Sequence, residues 1–249
     1  MAVVKRLAAP KTYPIPRKVK KFAPVIKGGG HKHEEAVPLR VILRDMLNYA
    51  KNAKEAKKIV HMGHILVDNK VRKDDRFGVG LMDTLSIPAA DKYYRAVPKG
   101  ARLKLIEIPE DEAALKLCRI EDKKVVKGGN IQLNLHDGRN ILIKVKDPFK
   151  PVEDVYKTHD VLLISLPDQK IVKHLKMEEG KLAMIVRGKL AGKIGKIKKI
   201  EIIKGLDPNR VTLEIDGNDV TTLMDYVFVV GDEKPVITVT EEKKEKEGK

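Results

Sequence analysis

Few side chains in this sequence are arranged for bond-making chemistry. The single cysteine, Cys118, sits between Leu117 and Ile120 with no evident partner base, so it reads as a structural thiol. One cysteine excludes an intrachain disulfide and any Cys-based zinc site. His31-Lys32-His33 supplies two imidazoles without a third ligand, on a segment rich in proline and glycine, and no metal is expected there. The glycine-rich stretch from Gly188 to Gly195 lacks the Gly-Lys-Ser/Thr ending of a nucleotide-phosphate loop, so no nucleotide cofactor is expected either. What the chain offers instead is cations. Of its 249 residues, 51 are Lys or Arg and 35 are Asp or Glu, giving a net charge of +16 and a pI near 9.7. Such a surplus points to a polyanion, and inside a cell the commonest is nucleic acid. With six Tyr, four Phe and no Trp, the chain is better suited to phosphates and folded shape than to stacking successive unpaired bases.

The cations are concentrated at two places. Residues 1–33 hold nine Lys or Arg and no acid, and residues 176–205 hold nine against three. The first block also contains Pro10, Pro14, Pro16, Pro24 and Gly28-Gly29-Gly30. Proline removes backbone donors and glycine raises the entropic cost of order, so this block cannot build a core of its own. Residues 1–37 therefore read as an extended basic arm that orders only against a partner, with Lys5, Arg6, Lys11, Arg17 and Lys18 as its RNA contacts.

The elements that must position the remaining cations follow from periodicity. Pro38 opens a segment in which Leu39, Ile42, Leu43, Met46 and Leu47 recur at helical spacing. Asn52 is placed to cap a second helix, with Glu55 completing a capping box and Gly63 ending it. Ala56, Ile59 and Val60 form the inward stripe of that helix, and Lys54, Lys57, Lys58 and His61 fall on the opposite side. Ile65 and Val67, the pair Asp68-Asn69 and then Val71 predict a hairpin closed by a type I′ turn. Arg44, Lys54, Lys57, Lys58, His61, Lys70, Arg72 and Lys73 thus share one basic face, read here as phosphate-binding. Residues 101–172 hold short apolar runs, with Asp137-Gly138 as a hairpin turn between two of them. Further on, two strand-like segments flank a Gly- and Lys-rich loop in which Arg187, Lys189, Gly192, Lys193 and Lys196 are the candidate RNA contacts.

Several of these stretches resemble known families. Glu55 to Val60, Gly63, Ile65, Val67 to Arg72, Asp75 and Met82-Asp83 resemble the S-four-type RNA-binding domain, with Asn69 where that domain usually carries glycine. Lys181 to Ile197 resembles a KOW motif, the signature of small SH3-like barrels. In that order, and with Lys5-Arg6-Leu7-Ala8-Ala9-Pro10-Lys11, Lys116-Leu117-Cys118 and Phe228-Val229-Val230-Gly231, the chain resembles the e-type S-four family of small-subunit ribosomal proteins over about residues 5–237. His136-Asp137-Gly138-Arg139 also resembles the catalytic aspartate loop of pseudouridine synthases, but the flanking strands already account for it as a hairpin.

The expected architecture is an α+β multi-module chain. It comprises a basic arm (1–37), a small helix-helix-hairpin RNA-binding domain (38–95), a β-rich central domain (96–174), an SH3-like KOW barrel (175–236) and a charged disordered tail (237–249). The resemblance implies a structural, non-catalytic constituent of the small ribosomal subunit in the cytoplasm. Its implied partners are 16S-type rRNA and neighbouring ribosomal proteins, with no cofactor and no small-molecule substrate. The alternatives are an RNA-modifying enzyme of the pseudouridine synthase type and a KOW-containing transcription factor. No apolar run approaches the roughly 18 residues of a membrane span, and the N-terminal charges precede no apolar h-region of a secretory signal.

Overall fold

The structure is a computed structural model that describes residues 3–147 and 152–240. It is mostly strand, arranged in several sheets, with few and short helices. No helix among the described residues is long and apolar enough to cross a membrane.

The N-terminal segment is built into the body. Strand β1 (Val3–Lys5) pairs antiparallel with β2 (Phe22–Pro24), and two inward-turned arginines hold the loop between them. Arg6, only 4% exposed, donates to the carbonyls of Pro16 and Phe22. Arg17 donates to those of Arg6, Leu7, Ala9 and Pro10. Prolines leave carbonyls without matching N–H donors, and the guanidinium forks supply the missing ones. Ala9, Tyr13, Ile15, Ala23 and Ile26 are buried in the same core as Leu39, Leu43, Val60 and Leu85. The expectation of a partner-dependent arm is therefore corrected: residues 3–37 lack a core of their own but share the next module's.

Strand β3 (Val37–Pro38) leads into a single α-turn, α1 (Leu39–Val41), continued by a π-helical turn over Ile42–Met46. Helix α2 (Ala53–His61) starts at Asn52, whose Oδ1 accepts from the N–H groups of Lys54 and Glu55. The Glu55 carboxylate accepts from the Lys51 N–H, one residue earlier than the expected capping box. Gly63, at φ +83°, lets the chain leave the helix. Strands β4 (Leu66–Val67) and β5 (Lys70–Val71) flank Asp68 and Asn69, both at positive φ as a type I′ turn requires. Strand β6 (Gly78–Val79) pairs with β3, while β7 (Thr84–Ile87), β8 (Lys92–Lys99) and β9 (Arg102–Glu107) complete a sheet of order β5-β4-β7-β8-β9. The expected boundary at residue 95 falls inside β8. Arg95 pairs with Thr84 on one side and Ile106 on the other, and a strand bonded on both edges cannot separate two modules.

Helix α3 (Glu110–Ala113) precedes the central sheet of β10 (Leu115–Val125), β11 (Ile131–Leu135), β12 (Asn140–Ile143), β13 (Val161–Ser165) and β14 (Lys170–Leu175), ordered β12-β11-β10-β13-β14. The Asp137-Gly138 turn joins β11 to β12, with Gly138 at φ +76°. The last sheet holds β15 (Leu182–Ile185), β16 (Ile194–Glu201), β17 (Arg210–Ile215), β18 (Asn218–Leu223) and β19 (Val227–Gly231) in the order β18-β17-β16-β15-β19. Ile237 and Val239, expected in a disordered tail, are buried against this sheet. Between them Thr238 bonds to Glu112, which also holds the fully buried Arg95. Residues 241–249 lie outside the described residues.

One buried ion cluster joins the N-terminal segment, the helical and hairpin module and the central sheet. Lys116, on β10, has no exposed side-chain surface; its Nζ lies 2.8 Å from Asp68, 2.5 Å from Asp83 and 2.8 Å from Asp137. Arg139 bridges Asp68 and Asp137 at 2.6 and 3.2 Å, and His31 Nε2 stands 2.9 Å from Asp83. Backbone N–H groups of Gly80, Thr84 and Arg139 satisfy the remaining carboxylate oxygens. Burial disfavours the Lys116 ammonium, but the three carboxylates outweigh this and hold its pKa well above the ordinary value. Asp137 is likewise held at about 2: burial opposes its charge, and Lys116, Arg139 and the other groups around it together outweigh that. For His31, burial pulls the pKa down and the Asp83 charge and hydrogen bond overcome it, leaving it raised above 6.5. Three carboxylates then face Lys116, Arg139 and His31, so the cluster is neutral when the imidazole carries a proton. Gly30 makes the approach of His31 feasible, since a Cβ there would lie 1.6 Å from the Asp137 carbonyl oxygen.

Two outcomes follow from this packing. A raised folded-state pKa means that His31 contributes stability below pH 6.5, and that this contribution is lost as pH rises through the folded value. Denaturant unfolding across that range should show this loss, and His31→Gln should flatten it. Deleting residues 1–33 should lower the unfolding midpoint of the remaining chain markedly, because it strips apolar residues from the core and an ion from the cluster; an unchanged midpoint would mean the segment is a loose arm.

Candidate nucleic-acid interface

The helical and hairpin region carries a basic cleft of about 620 Å³ lined by Arg40, Lys57, His61, Lys73, Asp74, Asp75 and Arg76. Helix α2 delivers Lys57 and His61 because its Ala56 and Val60 face inward. Lys73 arrives from the chain leaving β5, its stem lying over Gly63. Lys54, Lys58 and Lys70 are exposed beside the cleft rather than in its wall. The Arg72 guanidinium carbon sits over the Phe77 ring, 4.3 Å from its centroid, with its Nε buried and unpartnered. A guanidinium held in this way is oriented before any ligand arrives. Arg44 differs from expectation, because its Nε and Nη2 both donate to the neighbouring Asp45 carboxylate. Arg40 and Arg76 are not among the residues that the sequence assigns to the basic face. The spacing of Arg40 and Arg44, four residues apart and off the apolar stripe, was the available signal for the first. Arg40 is paired with Asp75 and Arg76 lies near Asp74, so both sit in the cleft as neutralised pairs.

The loop between β15 and β16 is less open than its glycines suggest. Gly192, at φ +92°, lies so close to β8 that a Cβ would sit 2.3 Å from the Pro98 carbonyl oxygen. The adjacent Ala191 carbonyl accepts from the Gly100 N–H at 2.9 Å. The requirement for glycine is therefore internal docking, which corrects the expectation that Gly192 admits RNA. Arg187 is ion-paired with Glu35, and Lys193 with Asp216 at 2.9 Å. Lys189 is exposed with no acidic partner among the described residues, and Lys196 is exposed on β16 opposite Glu214. Around β1 and β2, Lys5, Lys11 and Lys18 point to solvent, whereas Arg6 and Arg17 are the inward clamps described above.

Chemistry other than binding finds no footing at the candidate residues. Cys118, His136 and Asp137 stand close enough together to suggest a metal, yet each is already committed. Asp137 is buried and held by the Lys116 ammonium, which supplies the positive charge an ion would bring. His136 Nδ1 accepts from the Arg119 N–H and its Nε2 donates to the Leu81 carbonyl. Burial, reinforced by the Lys116 charge, lowers the His136 pKa to about 4, so it is neutral. Burial pushes the Cys118 thiol up, away from the thiolate. The same ion pairs disqualify Asp137 as the catalytic carboxylate of a pseudouridine synthase, since no face of it is presented to a substrate.

Known proteins are similar to this chain over most of its length. The profile of the ribosomal family S4e matches residues 90–171. The small ribosomal subunit protein eS4 of Methanocaldococcus jannaschii is 53% identical over 94% of this chain and 96% of its own length. That of Aeropyrum pernix is 48% identical over 96% of this chain and 95% of its own. Among solved structures, the 30S ribosomal protein S4e of Thermoplasma acidophilum superposes with a TM-score of 0.66 at 32% identity, covering 80% of this chain and 96% of that one. With identity of this order across nearly the full length in both directions, the chain belongs to the S4e family of ribosomal proteins.

Proposed function

We propose that this chain is a structural constituent of the small ribosomal subunit that binds 16S-type rRNA and supports subunit assembly and translation. The observation that carries this reading is the 53% identity, over 94% of the chain, to a protein named small ribosomal subunit protein eS4. Its partners are small-subunit rRNA and neighbouring ribosomal proteins, it resides with the ribosome in the cytoplasm, and it is not an enzyme. Within this reading, the S-four-type RNA-binding module opens at residue 38 and extends with its sheet to Glu107, and residues 175–236 serve as an SH3-like KOW barrel. The type I′ turn at Asp68-Asn69 and the five-stranded sheet from β15 to β19 support those two assignments.

The contacts fall into two groups. Lys54, Lys57, Lys58, His61, Lys70, Arg72 and Lys73 engage phosphates around the α2 cleft, and Lys5, Lys11, Lys18, Lys189 and Lys196 extend that contact to the N-terminal lobe and the KOW loop. Exposed lysines with few aromatics among them position an RNA backbone and leave its sequence unread. Arg44, Arg187 and Lys193 contribute only after releasing Asp45, Glu35 and Asp216.

The test has two arms. Tagged full-length chain should co-sediment with small ribosomal subunits; association with free tRNA or RNA polymerase instead would contradict the assignment. In salt titrations with small-subunit rRNA, Lys57→Ala/Lys73→Ala should lower the slope of log affinity against log salt by about 0.7–0.9 per lost contact. The loss should be alike for a base-swapped RNA of the same shape. An unchanged slope would remove the cleft from the interface.

A further inference from the structure

The N-terminal lobe presents an aromatic ring to solvent in the most basic part of the chain. Phe22 is 50% exposed, the one exposed phenylalanine among the described residues. Its direction is fixed by the strand: Ala23, next in β2, is buried in the core, so Phe22 must point the other way. The backbone beneath it is held rigidly, since the Arg6 N–H donates to the Lys21 carbonyl at 2.9 Å and the Arg6 side chain reaches the Phe22 carbonyl. Lys5 lies directly across the β1–β2 pair, which puts its side chain on the same face as the ring. Lys21 Nζ stands 5.5 Å from the ring centroid. Neither lysine has an acidic partner among the described residues, and the sequence up to residue 33 contains no acid at all.

A large apolar ring held outward contributes nothing to the core below it. An acid-free cationic rim is poorly matched to an ordinary protein surface and well matched to a polyanion. A nucleotide meets both demands at once, because its base offers a flat π-face and its phosphates answer the lysines. We propose that the β1–β2 lobe is a docking point for an unpaired rRNA nucleotide, whose base stacks on Phe22 while flanking phosphates lie against Lys5 and Lys21. This rests on the rRNA-binding reading above and adds to it a base-stacking contact, distinct from the phosphate-only contact of the cleft.

The chain has no tryptophan, so Phe22→Trp in the full-length protein places a sole indole at this position. Adding small-subunit rRNA should quench its fluorescence. Phe22→Leu, which keeps an apolar side chain but no ring, should weaken rRNA binding by about fivefold to a hundredfold, the range for one lost stack, with its salt slope unchanged. Phe22→Tyr should restore binding, and Lys21→Ala should lower the salt slope. Thermal unfolding of each variant separates loss of contact from loss of fold. Wild-type rRNA affinity in Phe22→Leu, or indole emission unaltered by rRNA, would overturn the proposal. So would a defect in Phe22→Leu seen only when other ribosomal proteins are present, since the ring would then face a protein. Failure of the unmodified chain to bind rRNA would instead remove the reading on which the proposal rests, and the proposal with it.

Discussion

The structure depends on a lysine that cannot reach water. Lys116 is surrounded by Asp68 from the hairpin turn, Asp83 from the turn before β7 and Asp137 from the central hairpin, with Arg139 and His31 closing the ring of charge. Burying an ion is costly, and a buried pair is often no more stabilising than a well-packed apolar replacement. Breaking one is another matter, at about 3–5 kcal/mol, because an uncompensated charge stays behind. Such a cluster therefore acts through specificity. Chain segments far apart in sequence can meet here in only one arrangement that leaves every carboxylate satisfied.

From this arrangement the basic surfaces inherit their positions. Asp68 is both a member of the cluster and the first residue of the turn that presents Lys70 and Arg72. His31 pins the end of the N-terminal lobe, while Arg6 and Arg17 stiffen its beginning. The last sheet is docked independently, through Gly192 against Pro98, the Gly100–Ala191 hydrogen bond and the Arg187–Glu35 pair. An RNA-binding protein that assembles its cationic faces beforehand loses less conformational entropy on binding than one whose arm must order at the same moment.

Much of this was legible locally. Asn52 capping α2, Asp68-Asn69 at positive φ and Asp137-Gly138 turning between strands are decided by short-range stereochemistry, and the residues say so directly. Lys57, His61 and Lys73 converge because helical spacing and a two-residue turn leave them little choice. What composition misled was tertiary. Proline and glycine forbid a private core, yet nothing in them forbids a shared one, and the donors that make it workable, Arg6 and Arg17, look like RNA contacts in a basic segment. Gly192 and Gly30 look like freedom but are demands for close approach, to Pro98 and Asp137 respectively. The buried role of Lys116 was not legible, although Lys116-Leu117-Cys118 contributes to the family resemblance. A lysine between Leu115 and Leu117 looks like the solvent face of a strand until the partners from three other segments are known.

Native-state hydrogen exchange of the free protein reaches the central claim most directly, because it asks whether the body, N-terminal lobe included, is assembled before RNA is bound. The amides of Arg6, which donates to Lys21 within the lobe, and Lys27, which donates to Arg76 of the adjoining module, should be protected without RNA to an extent comparable with Leu117 and Leu163 in the central sheet. Exchange of Arg6 and Lys27 at the rate of an unstructured peptide, with protection appearing only on addition of rRNA, would contradict it.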